Sequence, residues 1–321
     1  MTGPTADRNG RKALPVKWTE QNERGAGTSA PQREETMKTL YKKLATTAVA
    51  ASFAVTAFAT GPVAADELTD RVAAGETIRI GFSNEPPWAY PGENGEPLGF
   101  VHVIVLGALE KMGITEVEPV VTDWGGLIPG LKADRYDIIT GGMYILGSRC
   151  ENVNFSDPFG VFADVFVVKK GNPKNIHTYQ DIKNTDSVLV TGAGYNIVEF
   201  ARNEGVPSNK VMEVPGPTEM LAAFMAGRAD AIGSNFFAAS LLVEKSNGEA
   251  ELSDPSKLPD WALNWGGIGF RKADTDFLAA FNEAMGEYMG SDDMMAKVAE
   301  YGYTTDTLPG DGQTAYACAN R

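Results

Sequence analysis

The chain has 321 residues, 42 Asp/Glu against 28 Lys/Arg, a formal net charge of −14 and only two cysteines. An acidic chain presents no basic face to phosphates, so nucleic-acid binding is not expected, and the length suits two lobes better than one small domain. HExxH, CxxC, GxSxG and Walker-type loops are absent and the two histidines, His102 and His177, stand apart, so no metal, cofactor or activated nucleophile is expected.

Residues 1–36 are polar and lack apolar periodicity; they read as a non-native or misassigned extension before a start at Met37. Residues 37–65 read as a signal peptide. Lys38, Lys42 and Lys43 form its basic region, an Ala/Val/Phe-rich stretch follows, and Val63-Ala64-Ala65 fits the small-residue cleavage rule. A retained anchor is the weaker alternative, because the apolar run is short for a span. Nine Lys/Arg and five Asp/Glu lie in 1–65, leaving 19 basic and 37 acidic residues, a net of −18, in the exported part. In an exported protein Cys150 and Cys318 are expected to pair, tying the C-terminal tail to the first lobe. The expected location is the periplasm.

From residue 77 the pattern alternates between strand and helix. Strands are expected at 77–82, 117–122, 138–141 and 166–169, with helices at 101–112 (closed by Gly113) and 126–133. After the turn signal Gly171-Asn172-Pro173 the pattern repeats: strands at 187–191, 210–214 and 231–233, helices at 197–204, 218–226 and 238–244. A strand at 267–271 and helices at 277–289 and 294–301 close the chain. Such β-α-β runs imply mainly parallel sheets covered by helices. The fold class is therefore α/β with two lobes: 66–165 with 268–321, and 166–267. The chain crosses between them near 161–166 and 264–269, making a two-strand hinge.

Two stretches concentrate unusual side chains at strand ends. NEPPWAY (84–90) and the segment 123–157 bring three aromatics, Trp88, Trp124 and Tyr144, together with one acid, Glu85, and one base, Arg149. Aromatic faces attract delocalised cations, an acid offsets positive charge, and a guanidinium holds a carboxylate by two parallel hydrogen bonds. The set describes a receptor for a small zwitterion rather than a catalyst. The turn at 192–196 (GAGYN) precedes a helix whose free N–H groups suit an anion, with Gly194 and Asn196 as the main candidates. Asn235, in DAIGSNFF, is a further candidate; Asn84, Phe236 and Phe237 are weaker ones. Trp265 reads as hinge or core packing, and Met220, Met225, Met285, Met289, Met294 and Met295 as core filling.

GFVHVIVLGALEKMG, GLIPGLKADRYDIITGGM, SRCENVNFSDPF and AFMAGRADAI resemble the family 3 solute-binding proteins of ABC importers, over about residues 77–303. The string GMYI…SRC…FS resembles the ectoine/hydroxyectoine-binding subgroup. The resemblance implies two lobes closing on one ligand, delivery to ABC permease subunits in the membrane, a monomer, and no chemistry on the ligand. It implies that Glu85 pairs with the ring nitrogens of ectoine, that Trp88, Trp124 and Tyr144 form the cage, that Arg149 holds the carboxylate, and that 192–196 forms a backbone anion cradle. The two tryptophans depart from the Phe and Tyr usual in that cage. An Asp that holds the ammonium group in α-amino-acid binders is replaced by Asn235, which argues against a primary α-amino acid. Betaine, choline or polar amino acid ligands remain open, as does a periplasmic dehydratase, a chemistry the same fold hosts, with Glu85 as its acid. A sensor domain fused to a kinase or channel is not expected.

Overall fold

The computed structural model describes residues 66–321; the expected extension and signal peptide fall outside them. In chain order the elements are α1 (Glu67–Ala73), β1 (Ile78–Phe82), β2 (Tyr90–Pro91), β3 (Pro97–Leu98), α2 (Phe100–Lys111), β4 (Val117–Val121), α3 (Leu127–Lys132), β5 (Ile138–Tyr144), α4 (Gly147–Cys150), β6 (Asn154–Phe155) and β7 (Gly160–Lys169). They continue as α5 (Tyr179–Asn184), β8 (Leu189–Gly192), α6 (Asn196–Asn203), β9 (Val211–Val214), α7 (Pro217–Met225), β10 (Ala231–Asn235), α8 (Phe236–Lys245), β11 (Ala250–Leu252), β12 (Leu263–Phe270), α9 (Thr275–Tyr288), α10 (Asp292–Val298) and α11 (Thr314–Asn320). Among the described residues no helix is long and apolar enough to cross a membrane.

Each lobe is built on parallel strands. In the first, β1 lies between β4 and β5, parallel to both. In the second, β8 lies between β9 and β10, again parallel to both. The two long strands that link them are antiparallel. The start of β7 pairs with β12, Gly160 opposite Gly266 and Ala163 opposite Leu263. From Asp164 onward β7 pairs with β10 instead, and its end also carries β11. β12 continues past Gly266 along β5. Each crossing strand thus belongs to both lobes, and the chain passes between them along paired backbone rather than through loose loops. The expected strand at 166–169 is longer than read because Gly160 and Asp164 interrupt its apolar run.

The core explains why α2 forms where it does. Its residues are apolar on every side, the mark of a helix buried all round; Phe100, Val101, Ile104, Val105, Ala108 and Leu109 are all buried. The C-terminal helices supply the other wall, with Phe277, Phe281, Met285, Met294 and Val298 in the same cluster. In the second lobe Val165, Val167, Val190, Met220, Phe224, Ile232 and Leu242 pack together. Of the methionines read as core, Met225 is exposed instead: it ends α7 on the side facing away from that cluster.

Asp137, fully buried before β5, ties the first lobe together. Arg71 of α1 donates to its Oδ1 at 2.8 Å, Arg79 of β1 donates to both oxygens, and Arg271 after β12 reaches Oδ1 at 3.3 Å. Burial alone would raise this carboxyl, but the hydrogen bonds from Arg79 and Arg71 outweigh it and hold it well below the ordinary carboxylate range. An acid depressed in this way contributes its stability above about pH 4, and that contribution fades as pH falls toward the folded-state value. Asp137→Ala leaves three guanidinium groups without their acid; urea unfolding at pH 7 is expected to show a loss of roughly 3 kcal/mol. The deficit relative to the parent protein should shrink below pH 4.

Candidate functional site

The C-terminal ends of parallel strands are where open α/β sheets bind ligands, and the candidate residues gather there. After β1, residues 83–88 turn tightly. The Pro86–Pro87 peptide is cis, Glu85 N–H donates to Ala89 O at 2.9 Å, and Trp88 N–H donates to Glu85 O at 2.8 Å. This turn sets Glu85 and Trp88 side by side. Trp124 opens the 3₁₀ turn Trp124–Gly126 after β4, and Tyr144 ends β5. Arg149 sits on α4, which the chain end holds from outside: Cys150 is disulfide-bonded to Cys318 of α11, and Gly147 N–H donates to Arg321 O at 2.8 Å. The second lobe contributes the β8–α6 turn and Asn235 at the end of β10.

Glu85, Trp88, Trp124, Gly141, Gly142, Tyr144, Arg149, Tyr195, Asn196 and Asn235 line one cavity of about 30 Å³. A second chamber of about 290 Å³ shares Trp124, Arg149, Tyr195 and Asn196 with it and adds Ser148, Gly194, Glu199 and Arg202. Seven of the eight residues expected at the site therefore meet in the first cavity, and the eighth, Gly194, lines the adjoining chamber. Asn84 is exposed and Trp265 lines neither chamber; it packs against Tyr316 of α11. Phe236 is exposed. Phe237 lies behind the cavity, 6.4 Å between ring centroids from Trp88.

Trp88 has two roles at once. At 3% exposure, it packs against Phe162 at 4.2 Å and Phe100 at 4.9 Å between centroids, so much of the ring is core. Its remaining surface reaches the cavity. Gly142 allows this packing: its φ is +74°, and a Cβ there would stand 2.6 Å from the Trp88 ring.

The lobes meet through hydrogen bonds across the cleft. Trp88 Nε1–H donates to Asn235 Oδ1 at 2.9 Å, and Trp124 Nε1–H to Gly194 O at 3.1 Å. Arg149 donates to Tyr144 O at 2.9 Å and to Gly194 O at 3.1 Å, with its guanidinium carbon 5.8 Å from the Trp124 ring centroid. Ser148 Oγ–H donates to Glu199 Oε2 at 2.7 Å. Asn235 also accepts from Ala238 N–H, so it is the N-cap of α8. No side chain caps the start of α6, leaving its N-terminal turn directed at the cleft residues Tyr195 and Asn196.

Two opposite charges are nearly removed from water here. Glu85 is 7% exposed, and burial pushes its carboxyl up to about 7. The Tyr195 hydroxyl partly offsets this, although it makes no well-formed hydrogen bond. Arg149 is 8% exposed; burial pulls it down to about 10, against the raising influence of Glu199, Tyr144 and Asp164, and it stays charged at neutral pH. Below the cavity floor, Asp164 of β7 accepts from Asn196 Nδ2 at 2.6 Å, and burial raises it well above the ordinary range. Asp164 escaped the reading of the sequence, and Tyr195 entered it only as part of the 192–196 turn, without its side chain. An acid inside an apolar strand was the available signal for Asp164, and the aromatic within GAGYN the signal for Tyr195.

Residues 78–302 match the bacterial extracellular solute-binding proteins, family 3. This chain belongs to that family. A probable amino-acid ABC transporter periplasmic-binding protein of Sinorhizobium fredii, y4tE, is 32% identical over 286 residues, covering 87% of this chain and 93% of the relative. The L-cystine-binding protein TcyJ of Escherichia coli is 28% identical over 246 residues, 75% of this chain and 88% of its own. Among solved structures, EhuB in complex with hydroxyectoine superposes with a TM-score of 0.72 at 26% identity, covering 78% of this chain and 98% of that one. An ancestral arginine-binding protein bound to glutamine gives 0.62 at 26%, with 70% and 97% covered. The chain is thus a solute-binding component of an amino-acid-type ABC importer: its partners are a small ligand and the membrane permease, and its family works by binding rather than by catalysis.

Gly142→Ala tests whether the Trp88 ring is held by backbone approach. A methyl group in that position strains a positive φ and displaces the indole, so we expect a loss of about 1–3 kcal/mol in thermal unfolding. A shift in tryptophan fluorescence should accompany it.

Proposed function

We propose that this protein captures ectoine, 5-hydroxyectoine or a similar compact cyclic zwitterion in the periplasm, after export by the signal peptide at 37–65, and delivers it as a monomer to its permease. The observation that carries this reading is a single aromatic cavity with a buried acid, Glu85, and a buried guanidinium, Arg149, on its wall. A cation spread over a ring would lie against these aromatic faces and beside Glu85, each face contributing on the order of 1 kcal/mol; the cavity of about 30 Å³ is smaller than such a ligand, so the lobes must part to admit it. The ligand carboxylate goes to Arg149, supported by the uncapped N-terminal turn of α6 at Asn196. EhuB, solved with hydroxyectoine, supports the choice of ligand class.

The role of Asn235 also supports it. Its carbonyl oxygen already accepts from Ala238 and from Trp88. Being neutral and occupied, it offers little to a primary ammonium group, which disfavours ordinary α-amino acids. A polar amino acid is the second reading, since Arg149 and the α6 turn would serve any carboxylate, and TcyJ and the arginine-binding structures belong to the same fold.

Titration calorimetry with hydroxyectoine, glycine betaine, arginine and glutamine decides between them. Micromolar or tighter binding of hydroxyectoine, about −8 kcal/mol, is expected; binding of arginine or glutamine without hydroxyectoine overturns the ligand assignment. Arg149→Lys, which keeps the charge and loses the fork, should weaken binding at least tenfold.

The pH dependence has a definite sign. Glu85 must be ionised to pair with a cation, and its carboxyl titrates near 7. Affinity should therefore be flat above pH 8 and fall as pH drops below 7, approaching about tenfold per unit. Glu85→Gln should bind more weakly at pH 8 and lose this dependence; calorimetry between pH 5.5 and 8.5 measures both.

A further inference from the structure

The cavity wall carries two indole N–H groups where a phenyl ring would present a face and no donor in the ring plane. Both point across the cleft and both find acceptors on the second lobe. Trp88 Nε1–H meets Asn235 Oδ1 at 2.9 Å, and Trp124 Nε1–H meets Gly194 O at 3.1 Å. The backbones approach closely beside the Trp124 contact: a Cβ on Gly194, whose φ is +78°, would stand 3.3 Å from the Cα of Gly125. The Asn235 acceptor is fixed within its own lobe, and the Gly194 acceptor is shared with a second donor from across the cleft. Asn235 is held by capping α8 through Ala238 N–H, and Gly194 O also takes the Arg149 guanidinium at 3.1 Å. Trp88 is almost completely buried, so its N–H has lost its water and depends on this partner.

We propose that Asn235 is a positioning residue which, through the indole N–H of Trp88 and alongside the Trp124–Gly194 bond, latches the two lobes closed over the ligand. When the lobes separate, Asn235 keeps its capping bond while both indoles lose their acceptors. The latch therefore favours the closed state alone, and its N–H bonds add to closure separately from the contacts that the ring faces offer a ligand. It rests on the reading of this cleft as the binding site.

Trp88→Phe keeps an aromatic face and removes the donor. Asn235→Ser keeps a good N-cap for α8, but its shorter side chain does not reach the indole. With hydroxyectoine as the probe in stopped-flow fluorescence, each variant should release it roughly tenfold faster, with association little changed. The double variant should release it no faster than the worse single one, because both changes remove the same bond. Trp124→Phe, at a half-buried position that tolerates substitution more readily, should also speed release. Unchanged release in the single variants, or effects that multiply in the double, overturns the latch. Small-angle scattering of the protein alone gives a readout independent of the ligand: Trp88→Phe and Asn235→Ser should both raise the radius of gyration above that of the parent. If hydroxyectoine does not bind the parent protein, the ligand assignment fails, and the scattering result alone decides the latch; equal radii then overturn it.

Discussion

The site depends on keeping a guanidinium charged while almost sealed from water. Arg149 loses hydration through burial, and the fold replaces it with the carbonyls of Tyr144 and Gly194 and the face of Trp124. One of those carbonyls belongs to its own lobe and the other to the opposite lobe, so the charge is best satisfied when the cleft is closed. Glu85 is treated differently. Its surroundings are aromatic, with only the Tyr195 hydroxyl to compensate, and its carboxyl is driven to about 7. The result is a fixed positive pole and an adjustable negative one, an asymmetry suited to a ligand that brings its own cation and carboxylate.

The scaffold holds the fixed pole from several directions. α4 is too short to set an arginine by itself, but Cys150–Cys318 and the Gly147–Arg321 hydrogen bond dock the end of the chain against it. The last helix thus helps position a residue some 170 positions earlier, across a disulfide whose sequence separation is 168. The opposite end of the same lobe is tied by Asp137, which gathers guanidinium groups from α1, β1 and the chain after β12. These ties lie outside the cleft and leave the residues facing it free to bond with the second lobe.

Much of this was legible in the sequence because the signals were local. Periodicity located most strands and helices to within a few residues, and aromatics and charges at strand ends marked the cleft. What the sequence hid was mostly tertiary. β7 reads as a short strand at 166–169, yet it runs from Gly160, because pairing with β12 overrides a glycine and an acid that interrupt its apolar pattern. α1, α5 and α11 are short, and α1 and α5 are largely polar; what stabilises the three lies in caps and a disulfide as much as in an apolar stripe. Trp88 looked like either core or cage; in the structure its ring packs in the core and also lines the cavity. Asn235 looked like either a ligand contact or an ordinary loop residue; in the structure it is a helix cap that also accepts from an indole. Neither role follows from spacing, since its partner is 147 residues away.

The hinge and the site share one residue. β7 changes partner from β12 to β10 at Asp164, where the chain passes from lobe to lobe. There the buried carboxyl accepts from Asn196 at 2.6 Å and, more weakly, from Asn264 of β12 at 3.4 Å. Asn196 begins α6 and faces the cavity, while Asn264 lies on the second crossing strand. Among the described residues Asp164 Oδ1 and Asn264 Oδ1 have no hydrogen-bond partner, and neither does the Tyr144 hydroxyl at the cavity wall. A buried polar group costs free energy unless it is paired, so this cluster is sensitive to small shifts in the strands that carry it. Rotation at the hinge moves the partners of Asp164 relative to one another, and one of them sets the first turn of α6, which lines the cavity. Closure and the geometry of the α6 turn are therefore mechanically linked: a contact that shifts Asn196 also acts on the strand about which the lobes turn.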